Sequence, residues 1–449
     1  MKIVVIAASR ENVPERVAPL GAYIVADRLE RSGHNVLFLD LAFYGSSEQP
    51  VKEAIDKQKP DLIAVSIRNI NIQTFPMSAL ALPLIKSVVD NCKKFSDAKI
   101  IIGGSGFSIM PKQVFEALDV DYGLVGEAEE AIKYFAANFN NQKLFTTPGL
   151  VYRNNEGKII FNKPALIDDI NYAPAKRFNI SGYPSINIQT KRGCVFRCNY
   201  CSYPVLEGRT IRKRGAASVV DEIEALSEQK KDFYFVDNVF NFPMEHATEI
   251  CEEIIKRKLK IRWCCEIHPR YLDKSLALLM SKAGCKSVNI GVDSLSERIV
   301  QEIKKDFTLD EVDKCNKYLV DSGIEPRYFV MFGHLGDTKD TTAETFSNIK
   351  RLGLKKGRIM TGVRIYPGTD LASILIEKGL VQSIGLQPAY CFFGENQKEM
   401  LKYVRSFAEQ YPTWTFPGLE CKNLEMEKYL GLDDWNTADS STRSETIIY

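Results

Sequence analysis

At 449 residues the chain is too long for one ordinary domain and should hold two or three. Its 45% hydrophobic and 26% charged residues are the proportions of a soluble globular protein, and a net charge of +2 gives no reason to expect a nucleic acid or acidic partner. No apolar run approaches the ~18 residues of a membrane span, and the opening MKIVVIAASRENVPE reaches charge too soon for a secretory signal, so a cytoplasmic protein without a membrane span is expected.

Short apolar runs alternate with helix-length segments across residues 1–140. The expected strands are KIVVIAA (2–8), NVLFLDL (35–41), LIAVSIR (62–68), KIIIGG (99–104) and DYGLVGE (121–127). Segments with apolar residues at helical spacing lie between them, at 20–33, 78–95, 111–118 and 129–139. Strands this apolar are buried on both faces, which predicts a doubly wound α/β domain around a parallel sheet. Such a sheet binds ligands at the carboxyl ends of its strands. Those ends carry Asp40, Arg68 and Asn69, the run Gly103–Gly104–Ser105 and the pair Gly126–Glu127. The glycines let backbone approach a bulky ligand, although GGSG alone reads equally well as a tight turn. Neither GxGxxG nor GxxxxGK[ST] is present, which speaks against a dinucleotide or P-loop site.

Residues 141–185 read as a linker, with a hairpin signal around NNEG followed by a proline-punctuated stretch. Strand–helix alternation then resumes over 186–375, with six expected strands at 186–193, 232–238, 261–269, 287–293, 327–333 and 358–368. Six such units suit an open, TIM-like (β/α)₆ barrel. Residues 376–449 match no motif and form a small C-terminal extension, expected to close the barrel and cap the substrate pocket; its final DWNTADSSTRSETIIY is polar and expected to be loosely held.

Of the eleven cysteines, Cys92, Cys251, Cys264, Cys265, Cys285, Cys315, Cys391 and Cys421 are scattered and read as reduced thiols in the core. The other three are different. Cys194, Cys198 and Cys201 stand in KRGCVFRCNYCSYP with C-x₃-C-x₂-C spacing, directly after the first barrel strand. Three thiolates can hold three irons of a [4Fe–4S] cluster and leave the fourth open, unlike the four that close an electron-transfer cluster. A zinc site would want a fourth Cys or His nearby, and none occurs between Cys201 and His246.

This loop, with Tyr200 before its third cysteine, resembles the cluster loop of the radical S-adenosylmethionine (SAM) superfamily, in which the open iron chelates SAM. The first 140 residues are similar to the cobalamin-binding domain fused ahead of many radical SAM domains: VGEAEEAI looks like that family's GEGE-type element, and GGSGFSIMP like its glycine loop beside the nucleotide tail. The resemblance implies cobalamin contacts from Asp40, Arg68, Asn69, Gly103, Gly104, Ser105, Gly126 and Glu127. Following it residue by residue implies SAM contacts from Tyr200, Asp237, Asn238, Glu266, Asn289, Ser294 and Tyr366. FGHLGDT (332–338) looks like the fifth-strand GxPGET element, departing from it at His334, Leu335 and Asp337. The run after the second strand, DLAFYG, lacks the histidine that methionine synthase-like domains place under cobalt. Cobalamin is therefore expected base-off and without histidine ligation. The resemblance to the family's methyltransferases implies Arg68 beneath the metal without coordinating it; an ordinary strand-end salt bridge is the other reading of Arg68. The basic run EGRTIRKRG (207–215) reads either as solvated or as a contact to substrate or cobalamin phosphate.

The implied enzyme is a cobalamin-dependent radical SAM methyltransferase that methylates an unactivated carbon through methylcobalamin and a 5′-deoxyadenosyl radical. A small-molecule or natural-product-like substrate and a low-potential electron donor such as flavodoxin or ferredoxin are the expected partners. Cyclisation, rearrangement or oxidation without methyl transfer stays open. A methylthiotransferase would want a second set of cluster cysteines in the amino-terminal domain, where only Cys92 occurs. For a non-enzymatic carrier, a six-strand barrel would be superfluous.

Overall fold

The computed structural model describes residues 1–10, 15–70, 81–171, 180–386, 392 and 397–416. Seven strands form the first sheet: β1 (Lys2–Ala7), β2 (Asn35–Asp40), β3 (Leu62–Ser66), β4 (Lys99–Gly103), β5 (Tyr122–Leu124), β6 (Leu150–Arg153) and β7 (Ile159–Phe161). Their order is β2-β1-β3-β4-β5-β6-β7, and the first five are mutually parallel. Alternate side chains feed two cores. Val4, Ile6, Ile63, Val65, Ile100 and Ile102 pack on one face, and Ile3, Val5, Leu62, Ala64 and Ile101 on the other. This is why the runs are apolar throughout instead of alternating with polar residues. The order reverses at β1, which places a topological switch point, and hence a crevice, at the carboxyl ends of β1 and β3.

Two helices go beyond the sequence reading, Glu48–Gln58 and the short Ser105–Ile109 that begins inside the glycine run. The hairpin around NNEG forms as β6 and β7. Asn154 Oδ1 accepts from the amides of Glu156 and Lys158, and Gly157 takes φ +77°. The pair adds antiparallel to β5, so the stretch read as linker begins as part of the first sheet.

The second half contains β8 (Ile186–Ile188), β9 (Lys191–Arg192), β10 (Arg212–Lys213), β11 (Asp232–Phe235), β12 (Arg262–Ile267), β13 (Cys285–Asp293), β14 (Glu325–Phe332), β15 (Gly357–Thr361) and β16 (Trp414–Thr415). All six expected barrel strands are present, in the parallel order β16-β15-β14-β13-β12-β11-β8, while β9 and β10 pair as a separate hairpin. The curve stays open, since β16 and β8 do not pair. Strand β16 comes from the C-terminal extension. The preceding helix, Gln397–Gln410, lies on the barrel's flank, with Phe407 stacked on Phe346 at 3.9 Å and 4°. Within the extension, residues 387–391, 393–396 and 417–449, with Cys391, Cys421 and the polar tail, lie outside the described residues.

Burial alternates along the barrel strands. Phe233, Phe235, Trp263, Cys265, Val288, Ile290, Tyr328 and Val330 are buried against the helices. Tyr234, Cys264, Glu266, Asn289, Phe329 and Met331 point the other way and are only half-buried, so the strands line a partly open interior. Among the described residues no helix is long and apolar enough to cross a membrane.

Candidate functional site

The cysteine loop leaves β9 and ends in the helix Tyr203–Glu207. Gly193 opens it at φ +91°, and a Cβ there would meet the Thr210 carbonyl oxygen at 2.1 Å, so this position takes glycine only. The Cys194 amide donates to Gly208 O at 3.1 Å, and the Cys201 amide to Cys198 O at 3.2 Å. Asn199 pins the centre: its amide donates to Ile303 O, its side chain to Glu302 O, and its carbonyl accepts from Leu371. Cys194 is buried, and Cys198 and Cys201 are half-buried.

Burial pushes all three thiols up, Cys201 to about 12, against the opposing pull of the Lys305 ammonium. Such thiols keep their protons unless a metal displaces them. Among the described residues no three His, Cys, Asp or Glu side chains converge at single-ion distances. A four-iron cluster, whose thiolates sit on separate irons, asks for no such convergence.

Tyr200 donates its hydroxyl to Asp293 at the end of β13. Lys305 meets the same carboxylate at 2.7 Å and donates to Gly291 O at 2.8 Å. Burial raises the Asp293 carboxyl, but Lys305 and Tyr200 more than offset it, and the group titrates below its ordinary range. His334 stacks obliquely on Tyr200 with centroids 5.7 Å apart; it is 2% exposed, and its Nε2 has no hydrogen-bond partner among the described residues.

Glu266 and Asn289 lie opposite each other in register and share a polar group with Tyr234 inside the barrel. Tyr234 Oη donates to Glu266 at 2.5 Å, and Asn289 Nδ2 contacts Glu266 at 2.9 Å and Tyr234 Oη at 3.1 Å. Burial raises the Glu266 carboxyl despite these donors.

The other residues expected around SAM have different surroundings. Asp237, 1% exposed, accepts from the Thr190 amide and hydroxyl and from the Lys191 amide and ammonium, which locks the lead into the cysteine loop. Asn238 donates to Glu207 Oε2 at 2.8 Å, and the Gly193 amide donates to the same oxygen at 3.0 Å. Ser294 lies buried against Thr345. Tyr366 packs on the core of the first domain.

At the switch point of the first sheet a cavity of about 320 Å³ runs between β1, β3, β4 and the helices Leu20–Arg31 and Ala128–Ala137. Its wall is mostly apolar, from Val5, Ile24, Ala64, Ile101, Leu124 and Ile132, and its mouth carries Gly103, Gly104, Ser105, Gly126 and Glu127. Gly104 takes φ +96°, and a Cβ there would meet Ile67 O at 2.5 Å. Tyr203, Leu206 and Glu207 from the cysteine-loop side close the mouth. The apolar slot under a glycine rim suits the flat base of a nucleotide tail, so these residues fit the cobalamin expected there.

Arg68 and Asn69 stand half-buried beside this mouth, with Ser105 Oγ donating to Arg68 O at 2.8 Å. Asp40 lies apart, at the end of the edge strand β2, buried beneath the Tyr183 hydroxyl that donates to it. The basic run 207–215 is neither a uniformly solvated face nor turned toward a ligand at its buried arginines. Arg212 grips Glu127 with two bonds of 2.7 Å, and Arg214, 1% exposed, pairs with Glu222 at 2.7 Å. Tyr234, Lys305 and Asp293 join the candidate site beyond the residues read from the sequence, and Glu207 was read only as the first residue of the basic run 207–215. Only Tyr234 carried a signal, an outward-facing apolar neighbour on each side in a period of two.

Two family models match the chain: the B12 binding domain over residues 6–136 and the radical SAM superfamily over residues 188–349. The tryptophan 2-C-methyltransferase of Streptomyces laurentii is 24% identical over 440 residues, covering 81% of this chain and 72% of that protein. An uncharacterized methyltransferase of Pyrococcus horikoshii is 24% identical over 404 residues, covering 85% and 84%. The structure of the radical SAM methyltransferase TsrM from Kitasatospora setae, with cobalamin and a [4Fe–4S] cluster bound, superposes with a TM-score of 0.77 at 22% identity, over 84% of this chain and 74% of that one. The chain thus carries a B12-binding domain followed by a radical SAM domain, the pair that implies cobalamin, SAM and a [4Fe–4S] cluster, and it resembles the cobalamin-dependent radical SAM methyltransferases.

Proposed function

We propose that this protein methylates an unactivated carbon of a small molecule. The observation that carries the reading is the shared cavity mouth, where Gly103–Ser105 and Gly126 of the first domain meet Tyr203, Leu206 and Glu207 beside the cysteine loop. Residues of both domains would thus hold the corrin, and a methyl hand-over between the two domains requires the two cofactor sites to lie close together.

Bound together, the three groups supply a methyl donor, a one-electron reductant and a species able to remove an unactivated hydrogen. The chain's own part is to hold and screen them. Cys194, Cys198 and Cys201 would ligate three irons, and the fixed Gly193 turn and Asn199 contacts set the loop's shape. Glu266, Asn289 and Tyr234 would bind the polar groups of SAM or substrate, and Tyr200 would back the cluster with its hydroxyl held by Asp293. Gly103, Gly104, Ser105 and Gly126 would give the corrin and its tail close backbone contact, with Arg68 and Asn69 at the rim. A low-potential flavodoxin or ferredoxin would deliver the electron.

Anaerobic reconstitution followed by reaction with methyl-labelled SAM and a panel of aromatic and polyketide-like acceptors tests the reading. Label appearing on carbon supports it; 5′-deoxyadenosine release with no methylated product overturns methyl transfer in favour of rearrangement or oxidation.

A further inference from the structure

Four buried charges cross the boundary between the two domains. Glu127 and Glu129 belong to the first, at the start of the helix Ala128–Ala137; Arg192 and Arg212 belong to the β9–β10 hairpin. Arg212 holds both oxygens of Glu127 at 2.7 Å, and Arg192 contacts Glu129 and lies 3.6 Å from Glu127. All four side chains are less than one-tenth exposed.

The two arginines are register partners in the hairpin, and Arg192 directly precedes Gly193–Cys194. Arg212 also donates to the backbone of Glu207, whose carboxylate in turn holds the Gly193 amide. Glu127, Glu129, Arg192 and Glu207 all line the cavity wall. A ligand filling the cavity therefore touches the same side chains that fix the approach to the first cluster cysteine.

We propose that Arg192 and Arg212 are positioning residues: through Glu127 and Glu129 they couple occupation of the cobalamin cavity to the geometry of the cluster loop. This rests on the cofactor assignment above. The bidentate fork of Arg212 on Glu127 suits the task better than a lysine would, because a fork fixes direction as well as distance, and Arg192 adds a single contact to Glu129. Coupling of this kind is reciprocal: if the cluster tightens cobalamin binding, cobalamin tightens cluster retention by the same factor.

The test is the dissociation constant of hydroxocobalamin, read by absorbance on the full chain with and without the reconstituted cluster. In the wild type the cluster-loaded chain should bind about fivefold or more tightly. In Glu127→Gln and Arg212→Lys that ratio should fall to about one, and the swap Glu127→Arg with Arg212→Glu should recover part of it. Should the swap fail to fold, Arg212→Lys, which keeps the charge and loses the fork, carries the test. A wild-type ratio of one overturns the proposal. So does a Glu127→Gln variant that weakens cobalamin equally in both states, since that is the signature of a direct cofactor contact. A chain that holds iron but takes up no cobalamin at all overturns the cavity assignment and the coupling together, and iron content distinguishes this case from the others.

Discussion

The hydroxyl of Tyr200 is held by the carboxylate of Asp293, which joins the residue before Cys201 to the end of a barrel strand. Lys305 completes the group, and among the described residues neither charge has another ion-pair partner. Removing one member of a buried pair leaves the other uncompensated, at about 3–5 kcal/mol. Asp293→Asn should therefore lower the urea midpoint of the anaerobic protein substantially, whereas Tyr200→Phe should cost only about 1 kcal/mol. Equal midpoints for Asp293→Asn and wild type would show that the pair does not hold this region together.

The cysteine assignment is testable by iron content. Reconstituted wild type should carry about four irons and four sulfides per chain, and Cys198→Ala should carry none in a stable cluster. Cys264→Ala and Cys265→Ala should keep the full complement, because Cys265 is buried on the helix side of β12 and Cys264 faces the opposite way. A complete cluster in Cys198→Ala would sink the ligand set.

The four histidines of the chain are His34, His246, His268 and His334, and none lines the cavity. With its nucleotide tail drawn into the apolar slot, cobalamin should bind base-off, and with no protein nitrogen on cobalt. Electron paramagnetic resonance of the cob(II)alamin form should lack nitrogen superhyperfine splitting in the wild type. Arg68→His should introduce it and slow turnover if position 68 lies under the metal; splitting in the wild type would defeat the proposal for Arg68.

His246 offers a pH-dependent prediction. Its Nε2 lies 3.1 Å from Thr190 Oγ1, whose own proton goes to Asp237, so Nε2 carries a hydrogen and donates. Burial first, then Lys191, pushes it down to about 4. A histidine depressed below its unfolded value of about 6.5 contributes fully above that pH, and the contribution is lost as pH falls from there toward the folded value. The loss is on the order of 3 kcal/mol at its limit. Chemical denaturation of wild type and His246→Gln between about pH 7 and 5 should show stability falling more steeply in the wild type. Parallel slopes would count against the neutral imidazole.

Much of the fold was legible because it is written in local pattern. The apolar runs of β1, β3 and β4 could only be doubly buried strands, and the C-x₃-C-x₂-C spacing needed no partner elsewhere in the chain. The limits are equally physical. Glu127 looked available to a ligand because its partner Arg212 is 85 residues away, and Arg212 looked solvated for the same reason. Asp237 reads as a strand-end carboxylate, yet its donors come from Thr190 and Lys191, brought in by the pairing of β8 with β11. Strand β16, at two residues, is too short to show any period.

The alternation along the barrel strands divides the labour of the sequence. Trp263, Cys265, Val288 and Ile290 carry the packing, and Tyr234, Glu266 and Asn289 between them carry almost none of it. Substitutions on the inner set forfeit a few hydrogen bonds and leave the core intact. This half of the molecule can thus change the lining of its interior through inherited drift without renegotiating its stability, while Gly104 and Gly193, where any side chain would run into the backbone oxygens of Ile67 and Thr210, have no such freedom.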